Sequence, residues 1–196
     1  MPKIYVTGFG PFETISDNPS SVVAEQLGGC ELLDLNLEVS LEGVDMAISR
    51  YLKSFPPRDL GDRPTLLALG VDAASLGIKL EHRAKNKMNF ILPDVNGHLI
   101  RDREILENFP KELRTPLDVH TLASELGKPV GVSEDAGEYI CNYFYYKALA
   151  LLNERFDVLF VHVCKFEAIN ESAQLEVLNL LVRTLRDDVD ARFRAA

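Results

Sequence analysis

The sequence predicts one α/β domain across residues 1–196, a mainly parallel twisted sheet flanked by helices on both faces. Three observations predict it. Stretches with helical apolar spacing alternate with short β-favouring runs along most of the chain, the order that parallel βαβ units require. Two of those runs, residues 65–69 and 158–163, are almost continuously apolar, as strands are when helices cover both sheet faces. The chain has 196 residues, enough for one substantial core, and shows no internal repeat, low-complexity tract or domain boundary.

Taken in order, Ile4, Tyr5 and Val6 make a first strand, stopped by Gly8, Gly10 and Pro11. Asn18-Pro19 then announces a helix, with Asn18 as cap and Pro19 at the first helical position, carrying Val22, Val23 and Leu27 before Gly28-Gly29. Leu33, Leu35, Leu37 and Val39 alternate with polar residues as a second strand. Val44, Ala47, Ile48, Tyr51, Leu52 and Phe55 recur at helical spacing until Pro56-Pro57. Residues 65–69 form the third strand, ended by Gly70, and Ile78 and Leu80 mark a fourth with period two.

From about 85 to 116 the periodicity lapses into an irregular excursion, long enough to read as a functional or interface segment rather than an inert loop. Val119, Leu122, Ala123 and Leu126 restore a helix, closed by Gly127. A strand at 130–132 leads through an acidic turn into a helix expected to start near 136–138, with Asp135 as its cap. The strand at 158–163 and a last helix bearing Leu175, Leu178, Leu181, Val182 and Leu185 complete the chain.

Composition removes several function classes. A formal net charge of −9 argues against nucleic acid and anionic membrane surfaces as partners. No apolar run approaches the ~18 residues of a membrane span. The start of the chain carries no signal-peptide pattern, so a cytoplasmic location is expected. Three cysteines, odd in number and widely spaced, fit free thiols rather than a disulfide framework or zinc site. His82, His98 and His120 lie in polar surroundings, and no two share a metal-ligand spacing, so no metal is expected. Gly8-Phe9-Gly10 lacks the third glycine of a dinucleotide loop, so NAD is discounted and no cofactor is expected.

In open α/β sheets ligand sites gather beyond the carboxyl ends of strands. The loop at residues 8–12, Cys141 and His162 share that location. A cysteine at a helix start is stabilised as a thiolate by the exposed amides, although a lone cysteine is more often a small packed residue. His162, ending an apolar strand, is by itself a packed core residue; beside a helix-start cysteine it becomes a general base. Such a pair needs a third group to orient the imidazole, and the residues leave Glu81 and Asp94 both open for it. Phe9 and Phe12 suit an apolar pocket wall or ordinary core packing, and Tyr139 lies close enough to Cys141 to face the same pocket.

With those residues in hand the sequence resembles the pyroglutamyl peptidase I family, cysteine peptidases also called pyrrolidone-carboxylate peptidases. Four segments match in order along nearly the whole chain. Val6-Thr7-Gly8-Phe9-Gly10-Pro11-Phe12 with Asn18-Pro19-Ser20 resembles the opening signature, and Leu80-Glu81-His82-Arg83-Ala84-Lys85-Asn86 the glutamate segment. Ala136-Gly137-Glu138-Tyr139-Ile140-Cys141-Asn142 resembles the nucleophile segment and Phe160-Val161-His162-Val163 the histidine segment. The resemblance implies a Cys141–His162–Glu81 triad that removes an N-terminal pyroglutamyl residue from small peptides, without metal or cofactor. It implies a slot for the uncharged lactam ring formed by Phe9 and Phe12, with Asn18, Leu92 and Tyr139 as further substrate-binding residues. It also implies a cytoplasmic homo-oligomer, dimer or tetramer.

The chain departs from the family pattern on one side of that pocket. Ile91 stands where many members carry arginine, Val71 replaces a common glutamine, Ala73-Ala74-Ser75 replaces Gly-Gly-Arg, and Cys164 replaces a proline. Three readings follow: a pyroglutamyl peptidase, a silent relative binding a small lactam or acyl ligand, and a hydrolase of another small acyl substrate. The complete triad favours the first.

Overall fold

The computed structural model describes residues 3–195 other than 14 and 60, with side chains up to residue 187. In chain order the elements are β1 (Ile4–Phe9), α1 (Pro19–Gln26), β2 (Glu31–Leu37), α2 (Leu41–Ser54), β3 (Thr65–Val71), β4 (Ile78–Glu81), β5 (Arg83–Lys85), β6 (Glu112–Arg114), α3 (Val119–Leu126), β7 (Val130–Ser133), α4 (Ile140–Leu151), β8 (Asp157–Val163) and α5 (Glu171–Ala195). Six strands form one sheet in the order β2-β1-β3-β8-β4-β7, parallel throughout except where β4 runs antiparallel to β8. The fold is the expected α/β class. The two inner strands β3 and β8 are buried at every position, which is why they read as unbroken apolar runs.

Helices α2 and α4 cover one face and share a core with Phe9, Leu66, Ala68 and Phe160 of the sheet. Helices α1, α3 and α5 cover the other, against Ile4, Val6, Leu67, Leu69, Leu159 and Val161. The alternation of neighbours such as Leu66 and Leu67 between the two cores is the period-two consequence of the pleat. Local signals set the helix starts: Asn18 accepts from Ser20 N at 3.0 Å, Ser40 from Gly43 N at 2.9 Å and Asp118 from Thr121 N at 3.1 Å.

Several boundaries differ from the sequence reading. β1 continues through Gly8 to Phe9 instead of stopping at the glycine, and β2 ends at Leu37, short of Val39. β3 continues through Gly70 to Val71 instead of ending at the glycine. Helix α4 begins at Ile140 behind Tyr139, with no side-chain cap, rather than near 136–138. Asp135 instead accepts from Gly137 N at 3.0 Å, and Gly137, at φ 82°, turns the chain out of any helical path. The excursion at 85–116 is closed at its base by the β5–β6 hairpin and bridged at Met88–Arg103, and it buries Met88, Phe90 and Ile105 in the core beneath α4. A side chain adds to these backbone pairs: the Asn86 carboxamide accepts from Ile105 N and Leu106 N at 2.8 and 2.9 Å.

Candidate active site

The site forms at the carboxyl ends of β3 and β8, with β4 running antiparallel beside β8. Antiparallel pairing sets Lys79 opposite His162 and Glu81 opposite Phe160, so Glu81 and His162 are diagonal neighbours on one sheet face. Glu81 is fully buried, and its Oε1 lies 2.7 Å from His162 Nδ1. Its Oε2 accepts no hydrogen bond among the described residues, and Tyr145 Oη donates to the Glu81 backbone carbonyl at 2.7 Å. The Nδ1 contact leaves Nε2 of the imidazole for its second hydrogen-bond partner, Cys141.

Cys141 reaches the imidazole from above the sheet, from the second residue of α4. Gly70 pairs with His162 across β3 and β8, and a Cβ added to Gly70 would lie 2.9 Å from Cys141 Sγ and 2.7 Å from the Phe160 ring. The thiol therefore occupies the space that the glycine leaves, and this is why the third strand tolerates a glycine one residue before its end. Burial pulls the His162 imidazole down, but the hydrogen bonds and charges of Cys141 and Glu81 outweigh it and raise it to about 10. The imidazolium is thus the favoured form between two groups that can carry negative charge.

A cavity of about 310 Å3 opens beside the pair, lined by Cys141 and His162 together with Phe9, Phe12, Asn18 and Tyr139. Those are six of the eight residues expected from sequence. Glu81 lies behind His162, out of the cavity, as an orienting group would. Leu92 does not line the cavity: it is half-exposed in the bend after Phe90, and the carbonyl of its neighbour Pro93 accepts from Tyr139 Oη at 2.9 Å. Asp94, the other acid left open, is committed elsewhere, accepting from Leu41 N, Asn96 N and His98 N at 3.1, 3.0 and 2.8 Å. Burial first, then the charges of Glu13, Asp94 and Cys141, push the Tyr139 phenol up to about 12, so it stays a neutral donor.

A family model described as pyroglutamyl peptidase matches residues 2–173. The chain belongs to the pyroglutamyl peptidase family. It is 31% identical over 163 residues to the pyrrolidone-carboxylate peptidase of Deinococcus radiodurans, covering 79% of this chain and 72% of that one. Its identity to the pyrrolidone-carboxylate peptidase of Thermococcus litoralis is 30% over 157 residues, covering 76% and 69%. The solved structure of the pyrrolidone carboxyl peptidase from Thermococcus litoralis superposes with a TM-score of 0.83 at 25% identity, over 97% of this chain and 96% of that one.

The segments that carried the family resemblance have structural reasons to be together. Asn18 Nδ2 donates to Gly10 O at 2.9 Å while Ser20 Oγ accepts from Phe9 N at 3.0 Å, so the opening signature folds back on itself and fixes the Phe9–Phe12 wall. Asn18 is buried, and this loop-fixing work uses its amide; it still borders the cavity. Asn142, next to the cysteine, accepts from Lys85 N at 2.9 Å and donates to Lys85 O and Lys87 O at 2.9 and 3.0 Å, joining α4 to the segment after Glu81. Sequence reasoning missed Val39, Asp72 and Ala136 as lining residues and the tie through Asn142. Of the departures from the family pattern, Val71 lines the cavity, whereas Ile91 is 82% exposed and lies outside it.

Proposed function

We propose that this chain removes the N-terminal pyroglutamyl residue from peptides by nucleophilic catalysis at Cys141. The observation that carries the reading is the buried Glu81–His162 contact of 2.7 Å with Cys141 as the imidazole's second partner, at the wall of a largely apolar cavity. Cys141 Sγ attacks the carbonyl carbon of the pyroglutamyl bond, and the carbonyl electrons move onto oxygen. Collapse of that adduct breaks the C–N bond. The departing amine takes a proton from His162, and a thioester remains. Water then attacks the thioester, His162 accepts its proton, and release of pyroglutamate returns the thiolate. Glu81 holds the imidazole by Nδ1 and stabilises its positive charge.

The oxyanion is assigned to amide groups at the start of α4, including that of Cys141. Among the described residues no side chain caps this helix, which leaves its first N–H groups open to a substrate oxygen. The lactam ring bears no charge, and Phe9, Phe12, Val39 and Ala136 offer it apolar walls. Val71 lies on that wall in place of the family's glutamine, which bears on selectivity rather than on the triad. A cytoplasmic location and assembly into a homo-oligomer belong to the same reading, on the strength of the family resemblance.

The test is release of aminomethylcoumarin from its pyroglutamyl amide under reducing conditions, by the wild type and by Cys141→Ser. We expect release by the wild type and a loss on the order of 10³-fold or more in the variant. Near-wild-type turnover by Cys141→Ser would overturn the nucleophile. No release by a wild type whose Cys141 is rapidly alkylated would replace pyroglutamyl peptides by another acyl substrate.

A further inference from the structure

The fold brings together two histidines that lie 38 positions apart by number and a glutamate from a third segment. His82 follows β4, His120 is in α3, and Glu134 follows β7. The two imidazole rings stand 5.3 Å apart, and His82 Nδ1 lies 2.7 Å from Glu134 Oε1. One ligand atom from each of the three falls within 4.8 Å of the others. We propose that His82, His120 and Glu134 form a binding site for a zinc ion, outside the catalytic cavity.

The donor set fits that ion. Two neutral imidazoles and one carboxylate are ligands for zinc, whereas magnesium and calcium take oxygen ligands. Metal–ligand bonds of about 2.0–2.1 Å put tetrahedral ligand atoms about 3.3 Å apart. The 2.7 Å contact has to open slightly and the wider separations close. His120 and Glu134 are exposed side chains that turn at low cost, while His82 is half-buried and fixed.

The glutamate is also positioned from behind. Arg83 Nε donates to the Glu134 backbone carbonyl at 2.8 Å and meets Glu134 Oε2 at 3.3 Å, which leaves Oε1 for the histidines, the usual pattern of an outer partner orienting a ligand. The positive charges of Arg83 and Arg114 near Glu134 oppose a cation, so this is a modest-affinity site that exchanges its ion rather than a permanent structural zinc. Three protein ligands leave one tetrahedral position for water.

The site's location gives binding a consequence. His82 N donates to Ser133 O at 2.8 Å and its carbonyl accepts from Thr115 N at 3.1 Å, so the residue is built into the β4–β7 edge. Glu134 immediately precedes Asp135 and Ala136, which line the catalytic cavity. An ion here would tie α3 to the ends of β4 and β7 and brace that wall.

The test uses the full chain carrying Cys141→Ser, so that the catalytic thiol cannot ligate, stripped with chelator and titrated with cobalt(II) as a spectroscopic stand-in for zinc. We expect one equivalent with visible bands of a four-coordinate ion, no sulfur-to-cobalt charge transfer, displacement by zinc and none by magnesium. His120→Ala, on an exposed helix position, and Glu134→Gln should each weaken zinc binding by at least about 10-fold, and His120→Ala should abolish a zinc-induced rise in melting temperature. Binding unchanged in both variants, charge-transfer bands that reveal a thiolate ligand, or no binding at all would each overturn the site.

Discussion

Glu81 carries a carboxylate with no exposed surface and one oxygen that receives no hydrogen bond among the described residues. A buried charge in that condition is costly unless a charged partner offsets it, and His162 is the partner it has. The pair therefore favours the charged form of His162 against its burial. Replacing Glu81 by glutamine keeps an acceptor of the same size for His162 Nδ1 but removes the charge. The expected result is a fall of about 10²- to 10⁴-fold in kcat/KM, with KM little changed and alkylation of Cys141 by iodoacetamide slowed. Steady-state kinetics beside alkylation rates check it; activity within a few-fold of wild type would remove Glu81 from the mechanism. At this scale the sequence was informative where a residue's position on its own element matters. Cys141 at a helix start and His162 at a strand end were both legible. The choice between Glu81 and Asp94 came only from the family resemblance, because position alone shows neither the register of β4 against β8 nor that Asp94 is occupied by Leu41, Asn96 and His98.

At the scale of elements, helix α4 and the segment after β4 are coupled through one side chain. Asn142 makes three hydrogen bonds to backbone groups of Lys85 and Lys87, and it is fully buried. Asn142→Ala strands those groups and should cost about 2–3 kcal/mol of stability, seen as a lower urea midpoint at unchanged m. The same substitution loosens the tie between the Cys141 helix and the strand bearing Glu81, so activity should fall as well. A midpoint equal to wild type would mean that solvent satisfies the 85–87 backbone. Such ties explain part of why residues 85–116 looked irregular: several of their backbone groups are bound by side chains such as Asn86 and Asn142, and others by backbone far along the chain, neither of which leaves local periodicity. The start of α4 was misplaced for a related reason. An aspartate before an apolar run signals a cap, but Asp135 makes a local turn to Gly137, and only backbone conformation separates the two cases.

For the whole molecule, the strand pattern fixed the class and the two covered faces, while strand direction left no trace in apolar period. The antiparallel β4–β8 step, which aligns Glu81 with His162, was invisible for that reason. The buried ion pair also makes global stability depend on pH in a definite sense. His162 is raised from an unfolded value of 6.5 to about 10, against its burial, by hydrogen bonds and charge from Cys141 and Glu81. Below 6.5 both states bind the proton and the stabilisation is complete. Above it the unfolded chain releases its proton first, so stability declines with rising pH and the contribution is gone once pH passes about 10. Urea midpoints measured across that window should therefore fall steadily for the wild type. Cys141→Ser removes one of the two groups that hold the imidazolium, so its midpoint should fall less over the same range. Equal slopes in the two proteins would mean that Glu81 alone keeps His162 charged, and a flat wild-type profile would mean that the imidazole is neutral in the folded state.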